Sequence, residues 1–314
     1  MKKEAKIKSI GSFIPIKRVS NFESIDKFNL TEDFIKNKVG FVSKAIKSPD
    51  ESCITFCMKA IKSLKKKYNL IDSNIRLVTV VTQNPDTRIP HSSAIVHNIM
   101  KLDKSCMTFD ISQGCSGFVH ALIITKNLLE SFDNGDALIL TSDQYSDIIN
   151  HNSKNESLIF GDAAAATLLS LEGPGYKVID SNFGTSPNSN DCLKMTSSNY
   201  LEMNGSEVFS SVMEHVVPSI EQLLSNNNNV AIHDINLFLL HQGSKYVVDS
   251  IRRYFSIPNE IMPFDSKDYG NTISSSIPIL LEKNYNPKKY PYILLSGFGV
   301  GFTWGNAIIR YTES

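Results

Sequence analysis

The chain has 314 residues with 32 basic and 32 acidic side chains, so its formal charge is zero and no global field favours nucleic acid or a membrane surface. Apolar residues make up 41%, as in an ordinary globular protein, and no apolar run is long enough to span a bilayer. The charged start Met1-Lys2-Lys3-Glu4-Ala5-Lys6 has no apolar segment after it and does not read as a secretory signal. Five scattered cysteines (Cys53, Cys57, Cys106, Cys115, Cys192) point to a reducing, cytoplasmic setting and not to a disulfide framework.

In chain order, the pattern predicts a strand over 6–9, helices over 31–39 and 51–67, a strand over 77–83 and a helix over 92–100. A strand over 107–111, a helix over 116–131 and strands over 137–142, 164–171 and 176–182 follow. Then come a helix over 207–224, a strand over 237–240, a helix over 244–255 and strands over 292–295 and 305–311. Alternating strands and helices predict an α/β fold with buried sheets. Glu172-Gly173-Pro174-Gly175 is the best boundary, dividing the chain into units 1–172 and 173–314; Asn226 to Asn229 reads as an exposed loop. Cys53 and Cys57, four apart on a helix with no second ligand pair, read as core residues and not as a metal site.

Four strand ends carry the candidate chemistry. Cys115 lies where Ser112-Gln113-Gly114 joins a strand to an apolar helix, and a helix N-terminus stabilises a thiolate. A lone cysteine there serves equally as a small buried hydrophobe. His241 ends the apolar strand Leu237 to Leu240 and begins His241-Gln242-Gly243-Ser244, an echo of Gln113-Gly114-Cys115 that suggests two similar units facing each other. It serves equally as a cap of the next helix. Asn271, in Tyr269-Gly270-Asn271-Thr272, offers an uncharged donor or a helix cap. Ser296-Gly297-Phe298-Gly299-Val300-Gly301 follows a strand as a close-approach loop, or as a tight turn. The order Cys, His, Asn is also that of papain-like proteases, but the cysteine's position and neighbours do not fit them.

Phe109-Asp110-Ile111-Ser112-Gln113-Gly114-Cys115-Ser116-Gly117-Phe118 resembles the nucleophile segment of the β-ketoacyl-acyl-carrier-protein synthase III family. So do His241-Gln242, Gly270-Asn271-Thr272 and Gly299-Val300-Gly301-Phe302-Thr303-Trp304-Gly305, in that order. Phe160-Gly161-Asp162-Ala163-Ala164 and Asn84-Pro85-Asp86 through Ile89-Pro90-His91-Ser92 add two more segments. The resemblance covers essentially the whole chain. It implies a thiolase-like five-layered αβαβα fold from two duplicated halves, the nucleophile in the first and the histidine and asparagine in the second, in a homodimer.

The activity it implies is decarboxylative condensation of an acyl thioester, acyl-CoA or acyl-carrier protein, with a malonyl thioester in fatty-acid or polyketide synthesis. Cys115 would be S-acylated, and His241 and Asn271 would hold the enolate. The backbone N–H groups of Cys115 and Val300 would form the oxyanion hole. Phe298 would shield the site, and Ile89 would close the partner's acyl pocket. Coenzyme A or phosphopantetheine thioesters would be substrates, with no permanently bound cofactor and no metal. Phe34 and Lys38 stand where the family has tryptophan and arginine for the nucleotide, which favours carrier protein as donor. Lys245 and Arg252, with Arg253, Lys36, Lys38 and Lys44, would form a basic rim for an acidic carrier, or simply a solvated face. Ser244 replaces an asparagine and removes one support of the histidine. The alternatives are an acyltransferase making an ester or amide without decarboxylation, and a non-catalytic acyl-binding partner subunit.

Overall fold

The computed structural model describes residues 3–187, 189, 191–227 and 230–313. Met1 and Lys2 of the charged start, and Asn228 and Asn229 of the asparagine tract, lie outside the described residues. The first half runs β1 (Lys6–Phe13), β2 (Arg18–Ser20), α1 (Ile25–Phe28), β3 (Ser43–Ala45), α2 (Cys53–Lys67), β4 (Ile75–Val81), α3 (Ser92–Met100) and β5 (Met107–Ile111). It continues with α4 (Gly117–Leu129), β6 (Asp136–Asp143), α5 (Lys154–Ser157) and β7 (Ala163–Ser170). The second half runs β8 (Gly175–Thr185), β9 (Leu193–Met195), β10 (Leu201–Met203), α6 (Gly205–Ser211), α7 (Val217–Asn226), β11 (Leu237–Leu240), α8 (Lys245–Tyr254), α9 (Ser276–Lys283), β12 (Tyr292–Gly299) and β13 (Thr303–Thr312).

The nine longer strands are ordered β11-β12-β13-β8-β1-β7-β6-β4-β5. The halves repeat one topology. β4 runs parallel to β6, which pairs antiparallel with β7, which pairs antiparallel with β1. In the same way β11 runs parallel to β12, then β12 to β13 and β13 to β8 antiparallel. Only Lys6↔Lys177 and Ile7↔Tyr176 join the halves across β1 and β8.

Burial sorts the helices into layers. α2 and α3 cover the outer face of the first half, and α7 covers that of the second. α4 and α9 lie between, each touching strands of both halves. Their apolar residues, including Phe118, Leu122, Ile277 and Leu281, are buried in one core cluster with Leu77 and Ile139 on one side and Leu239 and Leu295 on the other. The sequence marks only the start of α9, because a helix that is apolar all round has no polar face to set a period. The charged motif residues act as caps: Asp86 accepts from the N–H groups of Cys53 and Ile54 at 2.7 and 3.0 Å, and Asp110 from those of Ser92 and Ser93 at 2.6 and 2.9 Å.

Four expectations change. The predicted 31–39 helix is π-helical over Phe34–Val39, and 207–224 is interrupted by π-helical Val212–Val216, just before Pro218, which has no N–H to return to the preceding turn. Ser296 to Gly299 is not a loop but continues β12, held by pairing down to Gly299↔Thr303, so the turn falls at Val300–Phe302. Asn226 ends α7. Cys53 and Cys57 are fully buried on α2 as expected, and all five cysteines are free. No helix among the described residues is long and apolar enough to cross a membrane.

At Gly11, α2 lies directly on β1: a Cβ there would come within 2.5 Å of the Leu64 Cα and would also strike the Leu64 nitrogen. Helix backbone cannot yield as a side chain does. Gly11→Ala is therefore expected to destabilise the chain by about 1–3 kcal/mol, read as a lower urea midpoint at unchanged slope.

Candidate active site

Three strand ends, those of β5, β11 and β12, converge with the Asn271 loop at one place. Gly114 O accepts from Gly117 N–H at 2.8 Å, a turn that sets Cys115 just ahead of α4. The continuation of β12 passes so close that a Cβ at Gly299 would lie 2.8 Å from the Cys115 Cβ and 2.9 Å from its Sγ. That approach explains the glycine. The ring of the preceding Phe298 meets His241 edge-on, centroids 5.5 Å apart, and His241 N–H is held by Ser296 O at 2.8 Å. Cys115, His241, Asn271 and Phe298 are all at most 4% exposed.

The Asn271 segment is clamped from both sides. Asn271 N–H donates to Ile159 O and its O accepts from Gly161 N–H, each at 2.9 Å. A Cβ at Gly161 would strike the Tyr269 carbonyl, which accounts for the glycine of Phe160-Gly161-Asp162. Asp162 fixes the same corner by accepting from Lys47 and Ser146 N–H at 2.8 and 3.1 Å. The Asn271 Oδ1 accepts from Ile273 N–H at 2.9 Å, which turns Nδ2 toward His241 Nε2 at 3.4 Å. Ile273 sits at φ 50°, a costly conformation for a β-branched residue. The other ring nitrogen, Nδ1, lies 2.9 Å from the Ser276 hydroxyl, which is also 3.0 Å from Ile273 O. The serine can donate to Nδ1 or to that carbonyl, so it satisfies either imidazole tautomer.

Burial dominates the electrostatics. It pushes His241 down to about 3, so the imidazole is neutral at neutral pH, with the Ile273 backbone opposing. It pushes the Cys115 thiol up, helped by the Asp143 carboxylate, while the N–H groups of Cys115 itself and Val300 work the other way. The expectation of a thiolate stabilised at a helix start is therefore corrected, because desolvation outweighs the helix end here. The two N–H groups named for the oxyanion hole are nonetheless those aimed at the sulfur.

Asp143, at the end of β6, gave no sequence signal beyond its strand. It is fully buried, and burial raises it to about 6 against hydrogen bonds from the Ser274 side chain, the N–H groups of Gln83 and Ser274, and Thr82.

Phe34 and Lys38 line a cavity of about 480 Å³ together with Lys154, Ser244, Tyr246 and Phe209. Lys38 lies over the rings of Phe34 and Tyr246 at 5.9 and 5.7 Å, and Lys154 over Phe34 at 5.7 Å. Lys154 lies in a polar stretch that offers no periodic signal. Ser244 caps α8 by accepting from Val247 N–H at 3.3 Å, and the histidine's support comes instead from Ser276. The basic rim is smaller than expected. Lys44 is buried against the Ser157 carbonyl, Lys36 pairs with Glu32, and Lys245 and Arg252 share Asp249. Ile89 is 88% exposed. Among the described residues no group of three His, Cys, Asp or Glu side chains could hold a metal ion.

Comparison with known proteins agrees across the chain. The 3-oxoacyl-[acyl-carrier-protein (ACP)] synthase III model matches residues 109–187, and the model of that family's C-terminal region matches residues 225–311. A β-ketoacyl-[acyl-carrier-protein] synthase III of Campylobacter jejuni is 30% identical over 98% of each chain, and one of Clostridium perfringens is 29% identical over 98% of this chain and 99% of its own. Among solved structures, a 3-oxoacyl-(acyl-carrier-protein) synthase III superposes with a TM-score of 0.90 at 25% identity, covering 98% of this chain and 99% of that one. The priming β-ketosynthase of the R1128 polyketide pathway has the same fold, with a TM-score of 0.88 at 24% identity over 100% and 98% of the two chains.

Above about pH 6 the charge on Asp143 opposes ionisation of Cys115. Asp143→Asn should therefore speed alkylation of Cys115 by iodoacetamide about threefold to tenfold at pH 7–8, since 1.4 kcal/mol of relieved repulsion is a tenfold change. The ratio to the parent chain should fall toward one below pH 6, where the native carboxyl is already protonated.

Proposed function

Because the chain belongs to the β-ketoacyl-[acyl-carrier-protein] synthase III family, we propose that it condenses an acyl thioester with a malonyl thioester, with loss of carbon dioxide, through an S-acyl intermediate on Cys115. The observation that carries this reading is the pairing of the oriented Asn271 amide with a buried, neutral His241 beside the sulfur.

In the first half-reaction the Cys115 sulfur adds to the acyl carbonyl, the pantetheine thiolate leaves, and the proton of Cys115 passes to it. Val300 and Cys115 N–H groups hold the transient oxyanion. In the second, the malonyl C–C bond to the carboxylate breaks and carbon dioxide departs. The electron pair moves onto the thioester oxygen as an enolate, between Asn271 Nδ2–H and His241 Nε2–H. A neutral donor pair fits charge that appears only at that moment. The enolate carbon then attacks the acyl-enzyme, the sulfur leaves as a thiolate, and it takes up from bulk solvent, as product departs, the one proton that the condensation consumes. Phe298 keeps water from the acyl-enzyme. A simple acyltransferase gives the paired donors no enolate to hold, and a non-catalytic binding subunit has no need of the triad.

The 480 Å³ cavity takes the pantetheine arm, with Phe34 and Lys38 at its mouth. Its cations are lysines, point charges without the fork that grips a phosphate in two places, so acyl-carrier protein is the preferred donor. The net charge of Lys245, Arg252 and Asp249 adds one positive charge nearby. A second copy of the chain completes the assembly: β5 ends the sheet with an unpaired edge, Met107 on it is 46% exposed, and Ile89 projects outward. Thioesters are substrates, no resident cofactor takes part, and the setting is cytoplasmic.

With labelled malonyl thioester, His241→Ala and Asn271→Ala should each lower carbon dioxide release by on the order of 100-fold while intact mass still shows S-acylated Cys115. Undiminished release in both variants would remove the enolate role. With matched acyl groups, transfer to Cys115 should be faster from carrier protein than from coenzyme A; the reverse order would overturn the donor preference.

A further inference from the structure

The wall around the nucleophile is not wholly apolar. Tyr145, just after β6, is 2% exposed, and its ring lies against Phe160 with centroids 5.2 Å apart. Phe160 is itself bridged through its backbone to Asn271. At its other end, the Tyr145 hydroxyl donates to Gln83 Oε1 at 2.8 Å. That same oxygen abuts the residue before the nucleophile, since a Cβ at Gly114 would come within 2.5 Å of it. The Tyr145–Gln83 bridge thus runs from the Asn271 side of the site to the Cys115 turn. Burial pushes the Tyr145 phenol up, and Cys115 is close enough to add to that. Neither Tyr145 nor Gln83 lines the cavity at Phe34 and Ser244, so the bridge belongs to a different wall from that of the pantetheine arm.

Two chemical properties follow. A tyrosine ring fills space that a longer alkyl chain needs. The bridge also keeps hydrogen-bonding capacity in reserve: the phenolic oxygen can still accept, and Gln83 Nε2 has no hydrogen-bond partner among the described residues. A plain alkyl group pressed here would leave that N–H without a partner, whereas an acyl group bearing an oxygen would satisfy it. Asp143 accepts from the Gln83 N–H at 2.8 Å, so a second carboxylate on the acyl group is disfavoured.

Resting on the reading of Cys115 as the acylated nucleophile, we propose that the Tyr145–Gln83 bridge selects a short, neutral acyl group carrying a hydroxyl or oxo oxygen over an unsubstituted chain. The full chain is incubated with butyryl, 3-hydroxybutyryl and hexanoyl thioesters at equal concentration, each presented both on carrier protein and on coenzyme A, and S-acylation is followed by intact mass. 3-Hydroxybutyryl transfer should exceed butyryl transfer by about tenfold, with hexanoyl the slowest. Tyr145→Phe and Gln83→Leu should each bring the hydroxybutyryl-to-butyryl ratio toward one. A parent chain that takes butyryl as fast as 3-hydroxybutyryl overturns the proposal, as does a ratio unmoved in both variants. Absence of S-acylation by all three thioesters removes the nucleophile reading and this proposal with it.

Discussion

Exclusion of water from the Cys115 sulfur sets the terms for everything around it. Phe298, Phe160 and Tyr145 are buried about a thiol that is itself 4% exposed, and the imidazole opposite is 2% exposed. In such surroundings a full charge is costly, so the resting site holds a thiol and a neutral ring, with the Asp143 carboxyl acting on the sulfur. The same dryness strengthens fixed dipoles, so a carboxamide, an imidazole N–H and two backbone N–H groups, in the roles proposed for them, would act without competition from water.

Those dipoles are useful only if they cannot turn away. The Asn271 amide is fixed by the Ile273 N–H, the Ile273 backbone is held in a strained conformation, and the segment is bonded to Ile159 and Gly161. Ser274 of the same loop ties to Asp143 on β6, and Ser275 to Thr141 at 2.8 Å. The Asn271 loop of the second half is thereby bolted to a strand of the first. This is the physical use of stacking two α/β units with α4 and α9 between them.

Much of this was legible in the sequence. The strands over 107–111 and 237–240 and the helix over 92–100 coincide with β5, β11 and α3 because their apolar runs end at strong turn or cap residues. Cys115 and His241 could be picked out because each stands where a strand gives way to a small-residue turn, and Asn271 because it opens a run of small residues at a helix start. The contributions of Asp143, Ser276, Tyr145 and Lys154 were not legible, since each depends on a neighbour distant in the chain. Asp143 needs Ser274, 131 positions away, and Ser276 needs His241, 35 positions away. The thiol's ionisation was misjudged for the same reason: proximity to a helix start is local, whereas burial is a property of the whole fold. Lys44 reads as a surface cation in sequence and turns out to be buried, because nothing local reveals that β3 packs beside Ser157.

The Ser276 hydroxyl has one hydrogen and two acceptors in reach, at 2.9 and 3.0 Å. Turning about its Cβ–Oγ bond, it can back an imidazole that bears its hydrogen on either nitrogen, and no interior atom is stranded in either case. The ring can therefore carry its hydrogen on either nitrogen without flipping over. The rearrangement needed between the two states is no larger than the spin of a single hydroxyl.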